Sequence, residues 1–222
     1  MATEINKNRR CVVIAGAPCA DAAYIKAALR PLDYIICADR GYQTAVEAGV
    51  TPNLLVGDFD SYQGGLPRGV EIIRLNPEKD DTDTLHCVKT ALERGFTDFI
   101  LLAATGGRLD HTLANLSVTE YLTDRGTHCI ILSENEKTEL LTEGRHIYSG
   151  CKGLTFSVFP YGCQRVVLSY KGAYYPLDHG VLTHSTAMGV SNVFTADTSE
   201  ITVHEGRVLL IINTRKDICL CE

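Results

Sequence analysis

The feature that most constrains the fold is an alternation of short apolar runs with stretches of helical periodicity. The runs are rich in Val, Ile and Leu, and their length is typical of buried strands. They read CVVIA, YIICA, NLLV, EIIRL, FILLA and CIIL. Helical patterns lie between them, at residues 21–29, 42–48, 84–94 and 111–123. This order predicts a mainly parallel sheet covered on both faces, close to the doubly wound α/β plan.

The pattern changes after about residue 136. Short strand-like runs now follow one another, separated by Gly, Pro, Asn or Asp: LTFSVFP, RVVLSY, YYPL, SNVFTA, EITVHEG and RVLLIIN. Turn signals about every 8 to 12 residues are typical of a small sandwich or jelly-roll-like unit. We therefore expect an α/β domain over residues 1–136 and an all-β sandwich domain over residues 137–222.

Composition excludes several classes of protein. A net charge of −6, without long Lys/Arg clusters, argues against a general nucleic-acid or membrane-surface binder. No apolar run approaches the roughly 18 residues of a membrane helix, and the first residues do not resemble a signal peptide. The nine cysteines contain no CxxC pair, which favours reduced thiols over a disulfide framework. We expect a cytoplasmic protein.

Polar groups follow several of the predicted strands. Asp39 comes after YIICA, Asp58 and Asp60 after NLLV, the acidic segment NPEKDDTD after EIIRL, and TGGRLDH after FILLA. In an open α/β sheet, ligands bind outside the carboxyl ends of the strands. One rim of the sheet is therefore expected to carry the functional site.

The segment GDFDS places two carboxylates one residue apart. In an extended chain Asp58 and Asp60 would point to the same side, while Phe59 turned into the core. A hard cation such as Mg²⁺ relieves the repulsion, and it commonly binds one or two carboxylates together with substrate phosphates. The alternative is an Asx-turn in which Asp60 or Ser61 satisfies loop amides.

A second acidic group lies at the start of the third helical stretch. Asp80 and Asp83 are spaced i, i+3, so both can face one side of a first helical turn. One of these carboxylates could serve only as a helix cap. The excess of aspartates predicts that Asp83 or Asp80 reaches the same cation.

The third element is the segment TGGRLDH. Gly106 and Gly107 allow close approach of the backbone to a ligand, and a following helix start together with Arg108 suits phosphate. A plain strand-to-helix turn, with Asp110 as N-cap and His111 exposed, fits this segment equally well. Combined with the acidic groups, it predicts phosphoryl or pyrophosphoryl transfer from a nucleotide, with the acceptor unspecified.

Five segments, in order, resemble the thiamine pyrophosphokinase family: ADRGYQ, GDFDS, KDDTD, GGRLDH and GVSNVF. The resemblance implies a Rossmann-like α/β domain followed by a β-sandwich, paired as a homodimer with the thiamine site at the subunit interface. It implies the Mg²⁺-dependent reaction of ATP with thiamine to give AMP and thiamine diphosphate.

The resemblance also implies roles for individual residues. Asp58, Asp60 and Asp83 would bind Mg²⁺, and Asp80 and Asp110 would complete the catalytic group. Thiamine would contact Ser191, Asn192 and Phe194. ATP and its phosphates would contact Asp39, Ser61, Lys79, Thr82, Gly106, Gly107, Arg108, His111 and Asn115.

Two departures and one choice accompany these roles. Arg40 stands where many family members have glycine, and the chain has no Trp, so an aromatic ring for thiamine must come from Phe194, a Tyr or a His. Either Asp110 or Asp80 would accept the proton of the attacking hydroxyl, unless a loose transition state needs no base. Two other functions fit the residues: another Mg²⁺-dependent phosphotransferase or phosphohydrolase, and a non-catalytic nucleotide or thiamine sensor.

Overall fold

The computed structural model describes residues 10–18, 22–59, 64–76 and 80–214. The chain divides into two compact units, Met1–Ser133 and Glu134–Glu222. Within the described residues, none of the helices is both long and apolar enough to cross a membrane.

The first unit holds a parallel sheet in the order β4-β3-β2-β1-β5-β6. Four helices connect its strands in the part of the unit that the structure describes. The elements, in chain order, are β1 (Cys11–Ile14), α1 (Ala22–Ala28), β2 (Tyr34–Ala38), α2 (Gly41–Glu47), β3 (Leu54–Gly57), β4 (Glu71–Arg74), α3 (Asp83–Glu93), β5 (Asp98–Leu102), α4 (Leu109–Thr123) and β6 (His128–Leu132).

The sheet is buried on both faces because its central strands are apolar throughout. In β1, Cys11 and Val13 join a core that includes residues of α3 and α4, while Val12 and Ile14 join a core that includes residues of α1 and α2. Burying one Val or Ile side chain completely stabilises the fold by about 1.5–3 kcal/mol relative to leaving it exposed. The predicted parallel sheet, covered on both faces, is confirmed.

The helix starts settle two questions that the sequence left open. Thr82 is the N-cap of α3, since its Oγ1 accepts a hydrogen bond from the N–H of Leu85 at 3.2 Å. A hydroxyl therefore caps this helix, and the prediction that an aspartate caps it is wrong. In α4 the N-cap is Arg108, with no capping hydrogen bond from its side chain, so Asp110 is not the cap either.

The second unit is antiparallel. Its strands are β7 (Glu136–Leu141), β8 (Gly144–Ser149), β9 (Thr155–Pro160), β10 (Arg165–Lys171), β11 (Leu177–Thr183), β12 (Asn192–Val193), β13 (Thr198–Glu205) and β14 (Val208–Asn213). Hydrogen bonds join them in two runs, β12-β9-β14-β7 and β11-β10-β13-β8. Both runs supply side chains to a single core, with Phe156 and Leu210 from the first and Leu168 and Ile201 from the second.

Sequence patterns located most of these strands but not all. The prediction missed β7 and β8, whose sequences EKTELL and GRHIYS mix charged with apolar residues. It also assigned a strand to YYPL, whereas β11 begins only at Leu177. Pro176 lacks the N–H that a sheet ladder requires, so Tyr174 and Tyr175 precede the strand in a loop.

Candidate active site

The chain order creates a crevice at one edge of the parallel sheet. From β1 the chain passes outward through β2, β3 and β4, and β5 then lies on the other side of β1. Loops leave in opposite directions where the order reverses, which is where open α/β sheets bind ligands. A cleft of about 390 Å³ lies here. It is lined by Gly16, Ala17, Pro18, Ala38, Asp39, Arg40, Thr82, Asp83, Thr84, Gly106, Gly107, Arg108, His111, Ala114 and Asn115.

Most of the residues predicted to hold nucleotide line this cleft, together with one predicted metal ligand, Asp83. Asp58, Asp80 and Asp110 are described by the structure but are not part of the lining. Asp60, Ser61 and Lys79 lie outside the described residues. The predicted nucleotide residues in the lining are Asp39, Thr82, Gly106, Gly107, Arg108, His111 and Asn115.

Glycines allow the loops around the cleft to pack closely. A Cβ on Gly41 would lie 2.0 Å from the carbonyl oxygen of Ile14, so α2 begins against the end of β1. A Cβ on Gly107 would lie 2.7 Å from Cδ of Pro18, and its φ of +66° is left-handed. The loops after β1 and β5 are thus fitted to each other, and larger side chains at these glycines would disturb the cleft.

Asp39 is the most unusual side chain of the cleft. It has a left-handed φ of 42°, and its Oδ1 is buried without a hydrogen-bond partner among the described residues. Burial raises the pKa of this carboxyl, and the negative charges of Asp83 and Asp58 raise it further. Two further carboxylates, those of Asp83 and Asp58, therefore lie close enough to act on Asp39, and a cation would stabilise its ionised form.

The segment that carries the paired aspartates is not fully extended. Phe59 has a φ of 58° and is buried, so it turns into the core as predicted but breaks the extended geometry on which the pairing of Asp58 with Asp60 depended. Among the described residues, no three His, Cys, Asp or Glu side chains form a group that could hold a metal ion. The fit of Mg²⁺ therefore rests on the interacting charges of Asp39, Asp58 and Asp83.

The aspartates before and at the start of α3 have different surroundings. Asp81 forms an ion pair with Lys89, two turns further along, and lies 3.9 Å from Nε2 of His86. Asp80 is exposed outside the helix, and only Asp83 reaches the cleft. The sequence could not separate these aspartates, because their roles depend on which partner each one finds.

Two arginines border the cleft, and they differ in whether a carboxylate of the described residues pairs with them. Arg108 forms a forked pair with Asp110, with Nε to Oδ1 at 3.1 Å and Nη2 to Oδ2 at 2.5 Å. This pairing lowers the pKa of the Asp110 carboxyl, which makes it a weaker proton acceptor. Arg40 is exposed and has no ion-pair partner within the described part of the chain. Its φ of −58° suits any residue, so glycine is not required at this position.

A second, smaller pocket of about 260 Å³ lies in the second unit. Asn192 lines it and bonds to the backbone of Tyr175: its Oδ1 accepts from the N–H of Tyr175 at 3.0 Å, and its Nδ2 donates to the carbonyl of Tyr175 at 2.9 Å. Asn192 therefore holds the YYPL loop in place. The pocket is lined by Tyr170, Tyr175, Pro176, Leu177, Leu182, Met188, Gly189, Val190 and Asn192.

The other two residues predicted for thiamine lie near this pocket without lining it. Ser191 is exposed, has a left-handed φ of 62°, and donates its backbone N–H to Ser157 Oγ at 3.1 Å. Phe194 is only 1% exposed and stacks on Phe156 with ring centroids 4.3 Å apart. Its ring belongs to the core, so an exposed ring such as Tyr175 is better placed to contact a ligand. Sequence reasoning missed Tyr175 because YYPL resembles a strand.

Comparison with known proteins matches both units to one family. Residues 25–131 match the model of the thiamin pyrophosphokinase catalytic domain. Residues 126–208 match the model of the thiamin pyrophosphokinase vitamin B1 binding domain. Together these two matches span well over half of the chain.

Individual relatives are distant in sequence but similar in structure. Thiamine pyrophosphokinase of Bacillus subtilis is 24% identical over 185 residues, which cover 81% of this chain and 86% of that protein. A crystal structure of thiamine pyrophosphokinase from Bacillus subtilis superposes with a TM-score of 0.83 at 20% identity, covering 94% of this chain and 100% of that one. Thiamin pyrophosphokinase from Candida albicans gives a TM-score of 0.76 at 18% identity, covering 93% and 90%.

Proposed function

Because the chain belongs to the thiamin pyrophosphokinase family, we propose that it transfers the pyrophosphoryl group of ATP to the hydroxyl of thiamine, giving thiamine diphosphate and AMP. The observation that carries this proposal is the cleft at the strand-order reversal, where Asp39, Asp58 and Asp83 interact beside a Gly-Gly-Arg loop. Such a site suits a polyphosphate and its cation. The thiamine hydroxyl attacks the β-phosphorus of ATP, and AMP leaves.

The polyphosphate of ATP binds between the two arginines of the cleft. Gly106 and Gly107 bring backbone close to the phosphates, and Arg108 and His111 contribute donors from the start of α4. Arg40 is the guanidinium that is not already paired, so it gains most from a phosphate. Asn115 donates to the carbonyl of Ala104 at 2.7 Å and thereby holds the loop before Gly106. Thr82 completes this side of the cleft, and Ser61 and Lys79 are proposed to join it.

Asp58, Asp60 and Asp83 are the proposed ligands of Mg²⁺, with Asp39 beside them. The buried Oδ1 of Asp39 without a partner among the described residues, and the raised pKa of its carboxyl, fit a site that has a cation nearby. When bound, Mg²⁺ neutralises phosphate oxygens and the charge that develops during transfer. The carboxylates orient and hold this centre.

Neither of the two predicted proton acceptors, Asp110 and Asp80, lines the cleft. Asp110 is occupied by Arg108, and the lowered pKa of its carboxyl disfavours proton uptake. Asp80 is exposed, lies outside the helix and does not line the cleft. We therefore propose that the reaction uses no protein base: the loose transition state requires little activation of the hydroxyl, and its proton passes to solvent.

Thiamine is proposed to bind the pocket of the second unit, which Asn192 lines and beside which Ser191 lies. Phe194 supports this side from the core rather than touching the ligand. We further propose that the enzyme is a cytoplasmic homodimer, with the thiamine pocket of one subunit facing the α/β domain of the other. The first unit is then a Rossmann-like domain and the second a β-sandwich.

The test is a coupled assay for AMP with purified protein, ATP and Mg²⁺, with and without thiamine. The expected result is AMP only when thiamine is present. Asp83→Asn should abolish this signal, whereas the matched control Asp81→Asn, whose carboxylate pairs with Lys89 away from the cleft, should retain it. Release of ADP or free phosphate instead of AMP would refute the proposed reaction and point to a different acceptor.

A further inference from the structure

Two neutral polar side chains belong to the buried part of the cleft in the first unit. Asn115 is 6% exposed and Thr84 is 7% exposed, and both residues line the cleft together with the buried Ala38. Arg40 and Arg108, which carry the positive charges of the same lining, are exposed. The cleft therefore has a charged rim and a neutral floor, which consists of Ala38, Thr84 and Asn115.

The amide of Asn115 directs a hydrogen-bond acceptor into the cleft. Its Nδ2 donates to the carbonyl oxygen of Ala104 at 2.7 Å, and this bond fixes the amide, because the opposite orientation would bring two oxygens together. Its Oδ1 accepts no hydrogen bond from the described residues, yet it is not fully buried as Oδ1 of Asp39 is. Since the small exposed part of Asn115 lines the cleft, this oxygen is open to a ligand.

Thr84 adds a hydroxyl that is also without a partner among the described residues. A threonine in a helix commonly bonds to the carbonyl one turn earlier, as Thr119 does to Asn115 at 3.2 Å. The Oγ1 of Thr84 makes no such bond, and it too keeps accessible surface. The floor therefore offers one acceptor and one hydroxyl that can donate.

The polyphosphate of ATP cannot be the partner of Asn115. Ionised phosphate oxygens only accept hydrogen bonds, and the exposed guanidinium of Arg40 on the rim suits them. Oδ1 of Asn115 requires an N–H or an O–H group. In ATP these groups occur only on the adenine base and the ribose.

Adenine complements the floor more fully than ribose does. One edge of the base places the N6 amino donor beside a ring nitrogen that accepts, and an asparagine amide commonly reads this base. Guanine carries an oxygen at the position of the amino group, so its acceptor would face the acceptor of Asn115. The apolar part of the lining consists of small side chains, which leave room for a flat ring. They are Ala17, Pro18, Ala38 and Ala114.

We infer that the floor of the cleft binds the adenine base of ATP and selects adenine over guanine nucleotides. The N6 amino group donates to Oδ1 of Asn115, and the hydroxyl of Thr84 donates to a ring nitrogen. Both residues are then specificity-determining contacts of the nucleotide. The inference rests on the proposed function, since it takes ATP as the occupant of the cleft.

The first experiment measures nucleotide binding to the wild-type protein by calorimetry, with Mg²⁺ and without thiamine. GTP and ITP, which both carry oxygen in place of the N6 amino group, should bind about ten- to a hundredfold more weakly than ATP. The 2′-deoxy and 3′-deoxy forms of ATP should bind as ATP does, because the ribose hydroxyls are not the donors.

The second experiment removes the hydroxyl of Thr84. Thr84→Val keeps the shape of the side chain and should weaken the binding of ATP about three- to tenfold, the usual worth of one neutral hydrogen bond. The affinity for GTP should not change, and Thr84→Ser should restore the affinity for ATP. Thr90→Val, in the same helix but outside the cleft lining, is the matched control and should bind ATP as wild type does.

Three results would overturn the inference: equal affinity of wild type for ATP and GTP, weak binding of a deoxy form of ATP, or a loss of ATP and GTP affinity by the same factor in Thr84→Val. The proposed function fails in a different way. Selective binding of ATP without thiamine-dependent release of AMP would refute the proposed reaction and leave the adenine site supported.

Discussion

Replacing Gly107 with alanine should damage both stability and ATP binding. The left-handed φ of +66° costs a residue with a Cβ about 1–2 kcal/mol. The new Cβ would also lie 2.7 Å from Cδ and 2.9 Å from Cγ of Pro18, and overpacking of this kind costs about 1–3 kcal/mol. We therefore expect Gly107→Ala to lower the free energy of unfolding by about 2–5 kcal/mol, or to shift the loop that contains residue 107 and raise KM for ATP.

Gly95→Ala is the matched control. Gly95 has a left-handed φ of +85° after α3, but a Cβ there would meet nothing within 4 Å. The Gly95→Ala variant should lose only the part of the free energy of unfolding that comes from backbone strain, about 1–2 kcal/mol, with KM for ATP unchanged. Urea denaturation and steady-state kinetics on both variants separate the two effects. If Gly107→Ala were no less stable than Gly95→Ala and bound ATP normally, the close fit between the loops after β1 and β5 would be refuted.

Two further predictions concern charges of the cleft. Arg40→Gly should raise KM for ATP about ten- to a hundredfold with KM for thiamine unchanged, because a hydrogen bond to a charged group is worth about 1.5–3 kcal/mol. Arg68→Gly, outside the cleft lining, is the control, and equal KM values for ATP in the two variants would refute the phosphate contact. Asp39→Asn should raise the melting temperature at neutral pH without Mg²⁺. Folding raises the pKa of Asp39, so the ionised carboxylate destabilises the folded state. The stability gained by Asp39→Asn should therefore vanish as the pH falls below the pKa that Asp39 has in the unfolded chain. Melting curves from pH 3 to 8 test this, and a constant difference across that range would contradict it.

The sheet and helices of the first unit were predictable because their signals are local. The runs around Val13, Ile36 and Leu101 are apolar at every position, which is typical of a strand buried on both faces. The predicted third helix, residues 84–94, is α3 (Asp83–Glu93), and Gly95 follows it with the left-handed φ expected of a C′ residue. Patterns within a window of ten or so residues were enough for these elements.

The details of the site depended on partners that no local pattern fixes. Asp81 and Asp83 are alike in sequence, yet one pairs with Lys89 and the other faces the cleft. Arg108 looked like a free phosphate donor, but its guanidinium already holds Asp110. Such contacts depend on the side-chain geometry of the folded helices. The sequence therefore predicted which residues belong to the site, but not the contacts and role of each one.

The two pockets are distinguished by the fully buried polar atom that each leaves without a partner among the described residues. In the cleft it is a carboxylate oxygen of Asp39, with the negative charges of Asp83 and Asp58 nearby, which a cation would stabilise. In the second unit it is the neutral hydroxyl of Tyr170, a residue of a pocket whose lining carries no charged side chain. A cation-bound polyphosphate suits the cleft with its acidic and arginine side chains, and an uncharged ring suits the pocket of the second unit. The local chemistry of each pocket therefore favours a different substrate, ATP in the cleft and thiamine in the pocket of the second unit, as proposed above.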